Sequence, residues 1–276
     1  MKKALLGIVL CLILAVVAFP ASFSLKLNGG VDYLLGGDYN KIVEGENGYW
    51  GVTGSDAMTK LNWGLDFGAE FIVSLSDSLG LGLGVGFISA TQSSNLTYRY
   101  STGSTTEHWN PSNTAIPITL NAHLFLPLGP LLKLHVTAGP GLYLYSYKWD
   151  MKTTTSAGGY DRNYSFKADS VAAFGFQGGL GLELALSPAI SLTMDIQGRL
   201  ANFSGLKGPW TVTGQYSPGQ PFSGSGAGTL WYFEESGLAY FEVQANKPTN
   251  PSLTNVREGS FSLSGVRALV GIKFNL

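Results

Sequence analysis

Apolar and polar side chains alternate with a period of two over long stretches of this chain. The clearest stretch is LGLGLGVGF at 79–87, in which a large apolar residue and a glycine alternate without a break. Successive side chains of a β-strand point to opposite faces, whereas a helix repeats every 3.6 residues, so this period predicts strands. The same alternation predicts eight strands, at 23–33, 61–75, 79–87, 116–126, 132–145, 172–186, 190–200 and 266–276.

The lengths of these segments and of their connections point to a membrane. Each segment reaches the roughly 9 to 11 residues that a tilted strand needs to cross a bilayer. Tight turns at 76–78, 127–130 and 187–189 alternate with long polar connections near 35–60, 91–114, 148–170 and 201–260. Bacterial outer-membrane barrels combine short periplasmic turns with long extracellular loops. The pattern therefore predicts an all-β, antiparallel, up-and-down barrel of eight strands with both termini in the periplasm.

One long connection leaves the strand count open. Residues 230–243, LWYFEESGLAYFEV, predict a hairpin around Ser236 and Gly237. We expect this hairpin to stand in the external loop, because its alternation is weaker and its arms are short. If it crossed the membrane instead, the barrel would have ten strands.

Glycine and proline in the predicted strands raise two further expectations. The interior of an eight-stranded barrel is only just wide enough for side chains. We expect Gly80, Gly82, Gly84 and Gly86 to face that interior and to make room for large inward residues such as Tyr143 and Tyr145; a glycine-lined passage is the alternative. Pro140 lies in mid-strand, where it removes a ladder hydrogen bond, so we expect a bulge there.

The first residues predict export. MKK is followed by an apolar run over 4–18 and by small residues at 21–24, which is typical of a secretory signal peptide. We expect residues 1–24 to be this signal, cleaved near 18–24, and residues 25–276 to form the barrel. The only cysteine, Cys11, lies in the apolar run, so no disulfide framework or thiolate site is expected after cleavage.

Composition narrows the class of protein. Charged residues make up 13% of the chain, against about 25% in ordinary soluble domains. The net charge is −1, with no basic patch for nucleic acid. After the signal there is no apolar run near 20 residues, so no membrane-spanning helix is expected. A closed β-barrel, whose backbone groups all pair between strands, is the remaining way to cross a bilayer.

Two stretches resemble a known group of proteins. AIPITLNAHLFLPLGPLLKLHVTAGPGLYLY at 115–145 and GIKFNL at 271–276 resemble the small outer-membrane β-barrel families, OmpX-like and OmpW-like. The resemblance implies a cell outer membrane of the Gram-negative type. It also implies an assembly signal, read by the barrel assembly machinery, at Gly271, Phe274 and Leu276. OmpW-like proteins further imply a narrow, porin-like route for small or hydrophobic solutes.

Charged side chains on the inward face form the main candidate site. Buried charges are rarely tolerated unpaired, so the sequence predicts a salt-bridged plug, with a polar pore lining as the alternative. Because the first and last strands meet on closure, we expect Lys26 or Lys273 to bond an acid of a neighbouring strand. The predicted lumen cluster comprises Lys26, Asp66, Glu70, Lys133, Glu183, Asp195, Arg199, Arg267 and Lys273.

The sequence gives little support for a catalytic site or a metal site. His123 and His135 point inward on strands joined by the turn at 127–130, so they are expected to pack near each other, with a metal pair as the alternative. His135 and Thr137 have the two-residue spacing of lipid A deacylases, but the nucleophile is wrong and both face the lumen. We therefore expect no enzyme activity, cofactor or metal, with an outer-membrane lipid-modifying enzyme as the alternative.

Aromatic residues in the long connections suggest a contact with the outside. They pack locally or at the lipid interface, or they recognise an extracellular ligand. The favoured function is a structural or surface-interaction barrel with a largely packed polar lumen; the alternative is a narrow channel. The expected partners are outer-membrane lipid, the assembly machinery and a ligand of the loops. The aromatic residues of the long connections, which could contact such a ligand, are Tyr39, Tyr49, Trp50, Trp109, Trp149, Tyr160, Trp210, Trp231 and Tyr232.

Overall fold

The computed structural model describes residues 22–156, 160–216 and 219–276. The predicted signal peptide therefore lies outside the described residues, except for 22–24, which belong to the first strand. Among the described residues no helix is long and apolar enough to cross a membrane. The elements are β1 (Ser22–Leu34), α1 (Asp38–Trp50), a 3₁₀ turn (Gly54–Asp56), β2 (Trp63–Ser74), β3 (Leu79–Thr91), β4 (Ser94–Tyr100), β5 (Gly103–Pro127), β6 (Leu132–Thr155), β7 (Tyr160–Lys167), β8 (Val171–Ala185), β9 (Ile190–Leu200), β10 (Asn202–Phe203), β11 (Lys207–Tyr216), β12 (Gln220–Glu235), β13 (Leu238–Gln244), β14 (Leu253–Glu258), β15 (Phe261–Ser262) and β16 (Gly265–Asn275).

Eight of these strands pair in a closed antiparallel ring. Its order is β1, β2, β3, β5, β6, β8, β9 and β16, and β16 pairs with β1 again. The first and last strands meet over eleven residue pairs, from Ser24 opposite Asn275 to Leu34 opposite Gly265. The ring strands lie on the eight segments that the alternation predicts. The other strands of the described chain lie in the long connections.

The long connections are more structured than the predicted polar loops. β5 and β6 are 25 and 24 residues long and stay paired well beyond the ring, up to Thr105 opposite Thr155. β7, β11, β12 and β13 continue the sheet outward from β6, β14 pairs with β12, and β4 pairs with β5. Long segments keep their backbone groups bonded in this way. We call this part of the sheet, together with α1, the outer extension.

The hairpin predicted at 230–243 is present in the outer extension. β12 and β13 pair from Thr229 opposite Gln244 to Glu235 opposite Leu238. The two turn residues, Ser236 and Gly237, both have positive φ, at 52° and 83°, as a two-residue hairpin turn requires. Its partners are β11 and β14, and within the described residues it does not pair with a ring strand.

Pro140 is accommodated without a bulge, so that expectation was wrong. β5 and β6 keep one register on either side of it, with Thr119 opposite Gly141 and Ala122 opposite Ala138. The register of β6 against β8 is also continuous, with Pro140 opposite Phe176. The missing N–H of proline interrupts the ladder towards β5 locally. No inserted residue is needed to absorb the interruption.

The two sides of the ring have opposite polarity. Large apolar side chains stand exposed on the outside of every ring strand, among them Leu27, Phe67, Leu83, Ile118, Leu144, Leu180, Ile196 and Val270. The inside carries buried polar and charged side chains towards the short turns. Towards the outer extension it carries a buried aromatic layer, in which Tyr145 stacks on Phe203 with ring centroids 4.3 Å apart. This layer separates the polar interior from the outer extension.

Candidate functional site

Two arginines and two aspartates meet in the middle of the ring. Arg199 of β9 donates to Asp32 at 2.8 Å and to Asp66 at 3.0 Å. Arg267 of β16 donates to Asp66 at 2.7 Å and reaches Gln177 at 2.8 Å. All four charged side chains are buried. Burial is tolerable here because each charge has a hydrogen-bonded partner of opposite sign.

Two lysines form a second group nearer the short turns. Lys26 of β1 donates to Asp195 of β9 at 2.7 Å, and Lys273 of β16 donates to Glu183 of β8 at 2.9 Å. Both lysines thus bond acids, as expected, but the expected neighbouring strand was wrong, because each partner lies one strand further round the ring. Each lysine side chain therefore reaches past one intervening strand on the inside of the ring.

Glu70 forms the third group with neutral donors and a histidine. Its carboxylate lies 2.6 Å from the Asn121 amide and 3.0 Å from His123 Nε2. Gly82 faces this group. A Cβ at that position would lie 2.2 Å from Glu70 Oε1 and 2.7 Å from His123 Nε2. The glycine stretch therefore makes room for a polar pair.

Neither Tyr143 nor Tyr145 is among the nearest neighbours of a Cβ at the glycines of 79–87, which corrects the expected partners. A Cβ at Gly141 or Gly175 would lie 2.9 Å from the Tyr143 ring. Those two glycines, on β6 and β8, leave the space for this tyrosine. Alternation indicated which face is crowded, but it could not indicate which glycine lies opposite which side chain.

The predicted lumen cluster is largely brought together. Lys133 is the exception: it faces Glu183 across the strand pair, but it is exposed at the short-turn end of the ring and makes no ion pair within the described residues. Asp32 belongs to the cluster and was missed. Its parity with Lys26 on β1 was the signal that could have found it.

A small cavity lies inside the ring. A cavity of about 40 Å³ lies between the arginine group and Glu70, lined among others by Asp66, Asn121, Gln177 and Arg267. That space is enough for a few water molecules. The side chains of Asp66, Asn121, Gln177 and Arg267 around this cavity are all buried.

The two inward histidines are neighbours but form hydrogen bonds with different carboxylates. Their ring centroids lie 6.5 Å apart. His135 Nε2 is 2.6 Å from Asp195, whereas His123 bonds Glu70. Within the described residues no group of three histidine, cysteine, aspartate or glutamate side chains is arranged to hold a metal. Thr137, two residues from His135, is buried in the ring interior.

A much larger cavity, of about 500 Å³, lies in the outer extension. We call it the aromatic cavity. Its walls come from α1, from strands β4 to β7, and from β11 and β13. Among its lining side chains are Glu46, Glu107, Arg162 and Glu242, together with the aromatic residues Tyr49, Trp50, Tyr98, Trp109, Trp149, Tyr164, Trp210, Tyr240 and Phe241.

Two glutamates of the aromatic cavity are held by neutral donors. Trp109 Nε1 donates to Glu107 at 3.1 Å, and Trp50 Nε1 donates to Glu46 at 3.2 Å. Burial raises the pKa of Glu107 above its ordinary value. Burial, and then repulsion by Glu107, raise the pKa of Glu46 as well. For Glu107, the hydrogen bond from Trp109 and the positive charge of Arg162 lower the pKa and offset the effect of burial only in part.

Comparison with known proteins gives the following. A major outer membrane protein from Thermus thermophilus is matched at 16% identity, with 93% of this chain and 100% of that chain covered and a TM-score of 0.36. OprG from Pseudomonas aeruginosa is matched at 11% identity, with 94% and 98% covered and a TM-score of 0.39. Both are outer-membrane proteins. No protein-family model and no curated protein matches the chain.

Two of the predicted assembly residues, Gly271 and Phe274, lie on β16, and Leu276 directly follows the strand. A Cβ at Gly271 would lie 2.5 Å from the Leu27 carbonyl oxygen, so glycine permits the close approach to β1. Leu276 is 76% exposed at the end of the chain, and Phe274 is partly exposed. The aromatic cavity, by contrast, was not predicted. Its only signal was the group of aromatic residues in the long connections, five of which line it.

Proposed function

We propose that the chain is an integral outer-membrane β-barrel protein with a structural or surface-interaction role and a largely packed polar lumen. In this proposal the eight ring strands cross the membrane, the short turns face the periplasm and the outer extension faces the medium. The opposite polarity of the two sides of the ring supports the membrane position most directly. A contiguous apolar surface all round a ring far exceeds the few hundred Å² that soluble monomers expose.

The ion pairs of the lumen support a closed barrel rather than a pore. Arg199 of β9 and Arg267 of β16 both bond Asp66 of β2, and the cavity beside them measures about 40 Å³. The buried aromatic layer follows on the outer side. A narrow channel for small or hydrophobic solutes is the second candidate, and the small polar cavity beside Glu70 is the observation that favours it.

Planar-bilayer recording decides between the closed barrel and the channel. Refolded protein, checked for heat-modifiable migration in gels, is expected to give no discrete conductance. Doubly substituted protein, R199A with R267A, is expected to give conducting events because the pairs that close the lumen are lost. Discrete conductance of the unchanged protein that disappears on neutralising Asp66 or Glu70 would establish the channel and refute the closed lumen.

The proposal includes lipid and the assembly machinery as partners and no enzymatic step. His135 and Thr137 lie inside the ring, away from the apolar surface that would meet lipid. Incubation of the refolded protein with outer-membrane lipid, followed by mass spectrometry, is expected to leave the lipid masses unchanged. A product with a shifted mass would support the lipid-modifying enzyme instead.

A further inference from the structure

The aromatic cavity has the size and construction of a small-molecule site. Its volume of about 500 Å³ lies within the range of roughly 300 to 1,000 Å³ that ligand sites occupy. Its walls come from elements far apart in sequence, including α1, β5 and β13. Tyr49, at 63% exposure, stands among its lining residues, so the cavity reaches the surface.

The walls carry aromatic rings in stacked pairs. Trp50 stacks on Tyr98 with ring centroids 4.0 Å apart, and Trp109 stacks on Trp149 at 5.2 Å. The face of an aromatic ring carries negative potential, and it attracts cations within about 6 Å of the centroid. Such walls bind an apolar body and a positive charge at the same time.

The charges of the lining favour a cation. Three glutamates, Glu46, Glu107 and Glu242, line the cavity together with a single basic residue, Arg162. Within the described residues neither Glu46 nor Glu107 forms an ion pair; both accept from indole or phenol donors instead. An anionic ligand would meet this excess of negative charge. A neutral apolar ligand would cover the glutamates without compensating them.

Two polar groups in the wall lack a hydrogen-bond acceptor within the described residues, the indole N–H of Trp149 and Nε of Arg162. Trp149 lines the cavity and is only 5% exposed. Its indole N–H is buried and finds no acceptor within the described residues. Buried donors are normally satisfied. A hydroxyl, ether or ester oxygen on a ligand is the acceptor that this position calls for.

We propose that the aromatic cavity binds an organic cation, a substituted ammonium group with an apolar body and an oxygen acceptor. Its aromatic walls hold the ammonium substituents, and Glu46 and Glu107 balance the charge. This inference rests on the proposed function for its exposure to the medium. It names a ligand class for the surface-interaction role and does not require a conducting lumen.

The test compares a cation with its neutral isostere. Choline and 3,3-dimethylbutan-1-ol have the same shape and differ by the charge. Refolded protein in a maltoside detergent, titrated by calorimetry and tryptophan fluorescence, is expected to bind choline at least tenfold more tightly than the alcohol. E107Q is expected to weaken choline binding at least tenfold. E44Q, on the exposed face of α1, is the matched control and is expected to change it less than twofold.

The outcomes separate this inference from the proposed function. Equal binding of the two isosteres, preferential binding of benzenesulfonate, or no binding of choline by heat-modifiable protein would each overturn the cation site and leave the barrel standing. Protein that shows no heat-modifiable migration and no β-sheet circular dichroism in detergent or lipid would contradict the proposed barrel itself. An E107Q variant that migrates as folded protein and binds choline unchanged also refutes the assigned role of Glu107.

Discussion

Single residues decide how the interior of the ring is filled. Asp66 accepts hydrogen bonds from both Arg199 and Arg267, so one carboxylate holds strands β2, β9 and β16 together. The stabilisation from such buried pairs is modest against an apolar alternative, but removing one partner leaves an uncompensated charge and costs about 3 to 5 kcal/mol. The network therefore specifies one arrangement of side chains more than it strengthens the ring.

The glycines that face these polar groups also determine how the interior packs, because each leaves space for one particular side chain. Gly82→Ala is expected to lower the free energy of unfolding by about 1 to 3 kcal/mol, the usual cost of overpacking. The added Cβ would lie 2.2 Å from Glu70 Oε1 and would force Glu70 away from His123. Urea unfolding in lipid vesicles, followed by tryptophan fluorescence, measures the change.

Gly198→Ala is the matched control for this substitution. Gly198 lies on the exposed side of β9, and its nearest neighbours are 3.9 Å from the Cβ position. Its unfolding free energy is expected to stay within about 0.5 kcal/mol of the unchanged protein, as for most surface substitutions. If Gly198→Ala lowered the free energy of unfolding as much as Gly82→Ala, glycine would matter for strand conformation in general and not for the space beside Glu70.

At the scale of elements, α1 depends on one buried aspartate. Asp38 opens the helix, and Ser260 donates to it through its backbone N–H at 2.9 Å and its hydroxyl at 2.8 Å. Arg257 of β14 also forms an ion pair with it. Burial alone would raise the pKa of Asp38, but hydrogen bonds from Arg257 and Ser260 lower it below the ordinary value. The helix is thus fixed to the sheet by an ionised carboxylate.

The lowered pKa of Asp38 predicts acid loosening of α1. A carboxylate with a lowered folded pKa stabilises the fold above its unfolded pKa, about 3.9, and loses this contribution as the pH falls through the folded pKa. Asp38→Asn is expected to reduce the amide protection of α1 by roughly ten- to hundredfold at pH 7, because hydrogen bonds to charged groups contribute about 1.5 to 3 kcal/mol. Hydrogen exchange with mass spectrometry measures this. In this variant the amide protection of α1 is also expected to lose most of its dependence on acidic pH.

Glu44→Gln is the control on the same helix. It removes the exposed pair with Lys60, and surface pairs contribute about 0 to 1 kcal/mol. Protection of α1 in this variant is expected to change by less than about fivefold. If the two variants lose equal protection, Asp38 is not the group that fixes the helix.

The elements also show where sequence patterns are informative. The ring strands could be predicted because lipid on one side and a filled interior on the other impose alternation on every strand, as in β9. The outer half of β5, from Gly103 to Ala115, could not be predicted, since GSTTEHWNPSNTA has no apolar face. α1 was missed for a related reason, because DYNKIVEGENGYW contains two glycines and few apolar residues. The aromatic cavity depends on contacts between several such connections.

At the scale of the whole molecule, the proposed position in the membrane predicts that the cost of a charged substitution on the outside of the ring depends on its depth in the bilayer. Leu180 stands 55% exposed near the middle of β8, and Leu186 stands 63% exposed just after its end, beside a short turn. If lipid surrounds the ring, arginine at Leu180 meets hydrocarbon, whereas arginine at Leu186 meets the headgroup region. The cost of arginine on the lipid side is about 2 to 4 kcal/mol at the midplane and about 0 to 1 kcal/mol near the interface.

Leu180→Arg is therefore expected to destabilise the protein by about 2 to 4 kcal/mol, and Leu186→Arg by about 1 kcal/mol or less, in urea unfolding from vesicles of fixed thickness. The difference should shrink in detergent micelles, which adapt to the charge more readily than a bilayer does. A soluble protein whose leucines face water would tolerate both substitutions equally, because neither side chain would leave an aqueous surface. Equal and small effects in vesicles would thus contradict the membrane position, whereas equal and large effects would place both leucines in a protein interface.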